Sequence, residues 1–169
     1  MNDKRSLIIY FSRADENYSV GFIEKGNTEI VAEYIADLVS GDMFKVEPLV
    51  PYAKDYKTCI EEAKVRTREH NAPIKENVPD ISSYDVIYVG SPIYWGVMPE
   101  ELFTALKPLN FQGKVIRPFV THEGSFLSSV PNQLKELCQG AKVLDGLAIV
   151  GSKVKDAKDE VAAWIKQEG

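Results

Sequence analysis

The sequence predicts an α/β fold, a doubly wound parallel sheet covered on both faces by helices. Two patterns carry this. Four short, nearly unbroken apolar runs recur along the chain: Leu7-Ile8-Ile9-Tyr10-Phe11, Val86-Ile87-Tyr88-Val89, Val115-Ile116 through Phe119-Val120, and Leu147-Ala148-Ile149-Val150. Runs of that kind suit strands buried on both faces. Between them lie segments of helical period, so strands joined through helices read as right-handed βαβ units. With 169 residues, 44% of them hydrophobic, the chain can bury about 70% of its unfolded surface in one core. No repeat or linker divides it, and a single domain over 1–169 is expected.

The elements follow in order. The first strand, Leu7 to Phe11, ends at Ser12-Arg13, and a long segment from Arg13 to Lys25 follows. Its apolar residues Tyr18, Val20, Phe22 and Ile23 suit a small hairpin. Ile30, Val31, Tyr34, Ile35 and Leu38 share one helical face. From Met43 to Glu47, Phe44 and Val46 alternate with Lys45 and Glu47, the half-buried pattern of an edge strand. Tyr56 to His70 is rich in helix formers, with Cys59, Ile60 and Ala63 on one side. Asn71 to Ser83 holds two prolines and little periodicity, as a crossover loop would. Beyond the strand at 86–89, Pro99 opens a helix with Leu102, Phe103 and Leu106 facing inward. The last two helices are marked by Val130, Leu134, Leu137 and Cys138, and by Val161, Trp164 and Ile165. Five strands and five helices fill the chain.

Composition removes several function classes. Residues 1–85 hold 11 basic and 16 acidic side chains and 86–169 hold nine of each, for a net charge of −5. There is no basic stripe for nucleic acid. Cys59 and Cys138 stand far apart, outside any metal or redox spacing, and read as buried free thiols. With His70 and His122 as the only histidines, no metal site is supported. The five apolar residues after the charged N-terminus are too few for a signal-peptide core, and no segment approaches a membrane span. A cytoplasmic protein is expected.

In a doubly wound sheet, ligands bind at the carboxyl ends of the strands, which leaves three loops to examine. The first runs from Ser12-Arg13 to Gly26-Asn27-Thr28-Glu29, where a helix opens. Free backbone N–H groups, a positive dipole end and hydroxyls there suit a phosphate, although Asn27 or Thr28 could equally be a plain N-cap. Neither G-x-G-x-x-G nor G-x-x-x-x-G-K-[ST] occurs. A low-molecular-weight phosphatase would need a cysteine in this loop, and a receiver domain an aspartate where Gly90-Ser91 stand. The second loop, Gly90-Ser91-Pro92-Ile93-Tyr94-Trp95-Gly96, sets two aromatics between glycines, suited to a flat ligand, or to capping the core. The third, Thr121-His122-Glu123-Gly124-Ser125-Phe126, supplies small and polar groups. His122 reads as a polar wall residue, because a general base also needs a partner within hydrogen-bond reach.

Taken together, Tyr10-Phe11-Ser12, Gly26-Asn27-Thr28, Gly90-Ser91-Pro92-Ile93-Tyr94-Trp95-Gly96 and Thr121-His122-Glu123-Gly124-Ser125 resemble the flavodoxin family over nearly the whole chain. The resemblance implies a three-layer, five-stranded sheet of order 2-1-3-4-5 that binds FMN non-covalently. Ser12, Arg13, Asn27 and Thr28 then match the phosphate loop. Pro92, Ile93, Tyr94, Trp95 and Gly96 match the loop bordering the isoalloxazine, with Tyr94 and Trp95 as stacking or edge contacts. Thr121, His122, Glu123, Gly124 and Ser125 match the ring-flanking loop. The 13–25 insertion departs from the compact phosphate loop of common flavodoxins, and a subgroup of the family shares such an insertion.

The implied function is electron transfer to redox partner proteins, with the flavin cycling between oxidised, semiquinone and hydroquinone states. A backbone carbonyl freed by Gly96 could turn toward the flavin N5, also by resemblance. The alternative is an NAD(P)H-dependent FMN or quinone-type oxidoreductase, with the long first loop as a lid.

Overall fold

The computed structural model describes residues 4–167; residues 1–3 and 168–169 of the expected domain, and with them the start of the N-terminal stretch, lie outside the described residues. Strand β1 (Ser6–Tyr10) is buried along its whole length. It runs parallel between β4 (Asp42–Lys45) and β5 (Val86–Pro92). β6 (Val115–His122) extends the sheet beyond β5 and carries β7 (Lys142–Val143) and β8 (Leu147–Val150) on its far side. The order β4-β1-β5-β6-β7, with β8 also on β6, is the expected 2-1-3-4-5 arrangement.

The outermost position differs from expectation in being shared by two short strands. Ile116 pairs with Val143 and Phe119 with Leu147, so the outer chain holds one residue more than β6 between those pairs, a bulge. Within it, a Cβ on Gly146 would meet Leu127 Cδ2 at 2.9 Å, so this position leaves little room for a side chain.

Side chains of β1 alternate between two apolar layers, as the pleat requires. Leu7, Ile9 and Phe11 pack with Cys59, Ala63, Leu102, Leu106 and Leu134, from α2 (Tyr56–Glu69), α3 (Glu100–Leu106) and α4 (Val130–Leu137). Ile8 and Tyr10 pack with Val31, Ile35, Val161 and Trp164, from α1 (Asn27–Val39) and α5 (Lys158–Ile165). Both faces are covered, which is why the strands are apolar without alternation. Cys59 and Cys138 are buried free thiols. No helix among the described residues is long and apolar enough to cross a membrane.

Two strand ends run further than the apolar runs. Ser91 and Pro92 still pair with Val120 and Thr121, so these residues and His122 are strand ends rather than loop. The backbone ladder continues where side chains turn polar. In the first loop, β2 (Asp15–Asn17) and β3 (Gly21–Ile23) form the antiparallel hairpin. Its Tyr18 and Phe22 are 60% and 70% exposed.

One buried cation closes the fold. Arg117 on β6 is 7% exposed and has no carboxylate partner among the described residues. Its guanidinium donates to the carbonyls of Trp164 (2.6 Å), Ile165 (2.7 Å) and Gln167 (3.1 Å), the negative end of α5, and lies 4.6 Å from the Trp164 ring centroid. Arg117→Met keeps the apolar stem and strips the donors. It is expected to lower stability by about 3 kcal/mol, read as a lower urea midpoint at unchanged m-value. An unchanged midpoint would mean that water satisfies these carbonyls equally well.

Candidate functional site

All strands of the main sheet are parallel, so the carboxyl ends of β1, β5 and β6 and the N-terminus of α1 meet at one edge. A cavity of about 270 Å³ opens there. Ser12, Arg13, Asn27, Thr28, Pro92, Ile93, Tyr94, Trp95, Gly96, Thr121, His122, Glu123 and Ser125 all line it. Of the expected residues, Gly124 alone is not among the lining residues; its N–H donates to His122 Nδ1 at 2.9 Å. Sequence reasoning missed Asn17, Tyr18, Tyr56, Ile60 and Gly151. Asn17 and Tyr18 come from the hairpin inside the first loop, whereas Tyr56 and Ile60 come from α2, outside the three loops, and only their tertiary position brings them to the cavity.

One end of the cavity is a set of donors. Gly26 caps α1 without a side-chain bond of its own, and there is no room for another residue: a Cβ would stand 2.1 Å from Ser12 Oγ and 2.8 Å from the Arg13 carbonyl. Ser12 Oγ accepts from Glu29 N–H at 3.0 Å, which leaves its own proton available. Asn27 and Thr28 N–H have no acceptor among the described residues, as the first turn of a helix dictates. The hydroxyls of Thr28 and Thr121, both buried, bond each other at 2.7 Å. That pair uses one of its two protons and keeps the other for a ligand.

Arg13 plays a different part from the one expected. Its guanidinium donates to the carbonyls of Glu16, Ala53 (2.7 Å) and Lys54 (2.6 Å), so its head group is spent on backbone. Glu16 adds a second tie, accepting from Tyr56 N–H at 2.7 Å. The hairpin is thereby fastened to the start of α2, and Tyr18 and Tyr56 stand with ring centroids 5.7 Å apart.

The opposite end is aromatic. Tyr94 to Val97 form a two-residue hairpin turn, Tyr94 N–H to Val97 O at 2.9 Å and Val97 N–H to Tyr94 O at 3.3 Å. Trp95 (φ 58°) and Gly96 (φ 80°) both take left-handed backbone, which defines type I′. Tyr94 turns inward, 6% exposed, its ring edge-on to Phe11 and Tyr52 at 6.0 Å each. Tyr52 is held by Glu101 Oε1 at 2.8 Å, and Arg66 bonds the other Glu101 oxygen at 2.7 Å. Tyr94 is thus both cavity wall and core cap. Trp95 remains 54% exposed, its indole N–H donating to Ile60 O at 2.7 Å. The Gly96 carbonyl accepts from Ser128 Oγ (2.7 Å) and Ser129 N–H (3.2 Å). The Gly96 carbonyl is therefore fastened, and it ties the second loop to the start of α4.

The charges at the site are quiet. Burial pushes the Tyr94 phenol far above its usual range and raises the Cys59 thiol beside it, so the aromatic wall is neutral. Glu123 accepts from Ser152 N–H at 2.7 Å, bracing the 3₁₀ turn (Gly151–Asp156) that follows β8. His122 is 6% exposed, and burial lowers its pKa against the opposing pull of Glu123. Because Nδ1 is the acceptor for Gly124, the proton of the neutral ring sits on Nε2. Among the described residues no group of three or more metal-binding side chains occurs.

The flavodoxin family model matches residues 17–168. A candidate flavoprotein of Bacteroides uniformis superposes with a TM-score of 0.77 at 23% identity, covering 97% of this chain and 99% of that one. A flavoprotein of Lactobacillus acidophilus, solved in complex with FMN, gives 0.66 at 22% identity over 90% and 97%. Oxidised flavodoxin 2 of Bacillus cereus gives 0.55 at 20% identity over 96% and 98%. At these identities the likeness is one of fold. No curated protein matches the sequence.

The depressed His122 pKa has a signed effect on stability. The folded state prefers the neutral ring, so this contribution is complete above the unfolded value of about 6.5 and is lost as pH falls through the lower folded value. His122→Asn keeps an acceptor for Gly124 without the titration. Between pH 7.5 and 5, the urea midpoint of the wild type is expected to fall more steeply than that of the variant; parallel profiles would refute the assignment.

Proposed function

We propose that this chain, which belongs to the flavodoxin family, binds FMN non-covalently in the carboxyl-edge cavity and transfers electrons to redox partner proteins. The observation that carries the reading is the polarity of that cavity: unpaired donors at a helix N-terminus face an aromatic wall. The donor end fits a terminal phosphate. Asn27 and Thr28 N–H, the Ser12 hydroxyl and the free proton of the Thr28–Thr121 pair would hold its oxygens, with the α1 dipole offsetting their charge. The aromatic end fits a flat ring, with Ile93, Tyr94 and Trp95 as its border. His122 would offer Nε2–H to a ring heteroatom from the third side.

When bound, the flavin ring supplies one- and two-electron chemistry. The protein's part is to bind it, orient it and limit its exposure. At about 270 Å³, the cavity lies at the small end of ligand sites, about 300–1,000 Å³, so a ring seated there keeps an edge at the surface. A carrier requires that edge. Two titratable groups lining the cavity already serve the backbone: Glu123 accepts from Ser152 N–H and His122 Nδ1 from Gly124 N–H.

One observation favours the second reading, an NAD(P)H-dependent flavin oxidoreductase. Tyr18 lines the cavity from the hairpin and is 60% exposed, so that side of the cavity stands open to a small acceptor or nucleotide from solvent. Anaerobic stopped-flow mixing of the holoprotein with NADH and NADPH separates the two. No bleaching over several seconds is expected; reduction within about a second, a typical enzymatic turnover, would establish the oxidoreductase.

The purified protein is expected to be yellow and to release FMN, not FAD, on denaturation. FAD in the supernatant, or apoprotein without affinity for FMN, would refute the cofactor. Trp95→Asn tests the ring wall while keeping a residue that tolerates the left-handed backbone. It is expected to raise the FMN dissociation constant three- to tenfold, the equivalent of about 0.5–1.5 kcal/mol for an aromatic contact. A change in unfolding midpoint without loss of affinity would place the indole outside the ligand's reach.

A further inference from the structure

Arg13 and Glu123 are the two cavity-lining side chains that carry a formal charge at neutral pH, since burial keeps His122 neutral there. They do not cancel. Arg13 is 9% exposed and forms no ion pair among the described residues. The carbonyls that receive its Nη donors stabilise the cation without neutralising it, and its Nε–H is buried with no acceptor among the described residues. Glu123 is only partly buried, and Ser152 N–H already bonds it. A buried charge acts through a lower dielectric than one open to water, so the field inside the cavity is set by the cation.

That field reaches the aromatic end. Burial raises the Tyr94 and Tyr56 phenols and the Cys59 thiol, and in all three the Arg13 cation pulls the other way. Tyr94 and Tyr56 both line the cavity. The acids on neighbouring elements leave the cation uncompensated: Glu16 on the hairpin, Asp55 at the start of α2 and Glu62 within it accept from the backbone N–H groups of Tyr56, Thr58 and Ala53, and none pairs with Arg13. Lys64, with Nζ 5.1 Å from the Trp95 ring centroid, adds the same sign from outside.

Such a field discriminates between the states of a ligand that changes its charge. The terminal phosphate of FMN has the same charge whether the ring is oxidised or reduced, so a cation acting on it binds both states equally. The ring does not: two electrons and one proton convert the neutral oxidised ring to a reduced ring with one negative charge. We propose that Arg13 is a potential-setting residue, an uncompensated buried cation that holds the reduced, anionic ring of FMN more tightly than the oxidised one. The two-electron midpoint potential of the bound flavin is thereby raised, against the direction in which the net charge of −5 acts. The inference rests on the FMN reading and adds to Arg13 a second task beside fastening the hairpin.

The test measures two quantities: the affinity of the apoprotein for oxidised FMN, by fluorescence quenching, and the two-electron midpoint of the holoprotein, by anaerobic dithionite titration against a reference dye. Together they give the ratio of reduced to oxidised affinities, in which a tenfold change is about 30 mV. The wild type is expected to bind reduced FMN at least as tightly as oxidised FMN. Arg13→Met removes the charge and is expected to lower the ratio at least tenfold. Arg13→Lys keeps a charge while losing the fork of bonds to the carbonyls, and its ratio is expected to stay within threefold of the wild type even where both affinities fall. Equal loss of both affinities in Arg13→Met would overturn the proposal and leave Arg13 as a wall tie. The same change of ratio in both variants would also overturn it, because opening of the wall rather than charge would then set the potential. If Arg13→Met does not fold, the wild type decides alone: reduced FMN bound more weakly than oxidised FMN overturns the proposal, and equal or tighter binding sustains it. A wild type that takes up no FMN at all refutes the cofactor reading instead, before any ratio can be measured.

Discussion

The site depends on a buried cation that touches no anion among the described residues. Arg13 is 9% exposed, yet it gives its guanidinium to backbone carbonyls on the hairpin and at 53–54. An unpaired charge in an interior is costly, and here several charge-assisted bonds offset that cost. What they secure is a wall. With the hairpin fastened to the start of α2, Asn17, Tyr18, Tyr56 and Ile60 reach a cavity that the parallel sheet alone would leave open on that side. The insertion is therefore a built part of the site rather than a surface excursion.

Three further ties make the loops one body. Thr28 and Thr121 join the first loop to the third, Gly96 joins the second to the start of α4 through Ser128 and Ser129, and Trp95 joins the second to α2. Each uses a neutral hydrogen bond, so the assembly holds its shape without placing net charge against the ligand. Polar and aromatic ends remain separate, as a molecule with an anionic tail and a flat head requires.

Much of this was legible from the residue pattern. Strand cores at 7–11, 86–89 and 147–150 show as apolar runs because both sheet faces are covered, and period alone marks the helices. The loops stood out because Gly-Asn-Thr and Tyr-Trp-Gly sit where polar or small residues interrupt those runs. Three features were not visible. The bulge between β7 and β8 includes Gly146, packed against Leu127 from a segment distant in the sequence. Arg13 looked like a ligand contact because its sequence position is right, while its direction is set by carbonyls 40 residues away. The inward turn of Tyr94 and outward turn of Trp95 follow from the type I′ backbone, which Trp-Gly does not advertise as Asn-Gly would.

The Arg117 latch bears on how the chain is made. β6 lies at the middle of the sequence order but finds its cation's acceptors only in the last few residues described, at 164, 165 and 167. During synthesis from the N-terminus, the whole sheet can leave the ribosome while Arg117 still lacks acceptors and one face of Tyr88 and Phe119 lacks α5. Until residues 164–167 have emerged, the folding chain carries Arg117 without these acceptors. Closure of this face of the sheet is thereby coupled to the docking of α5, the last helix described, onto a strand near the middle of the order.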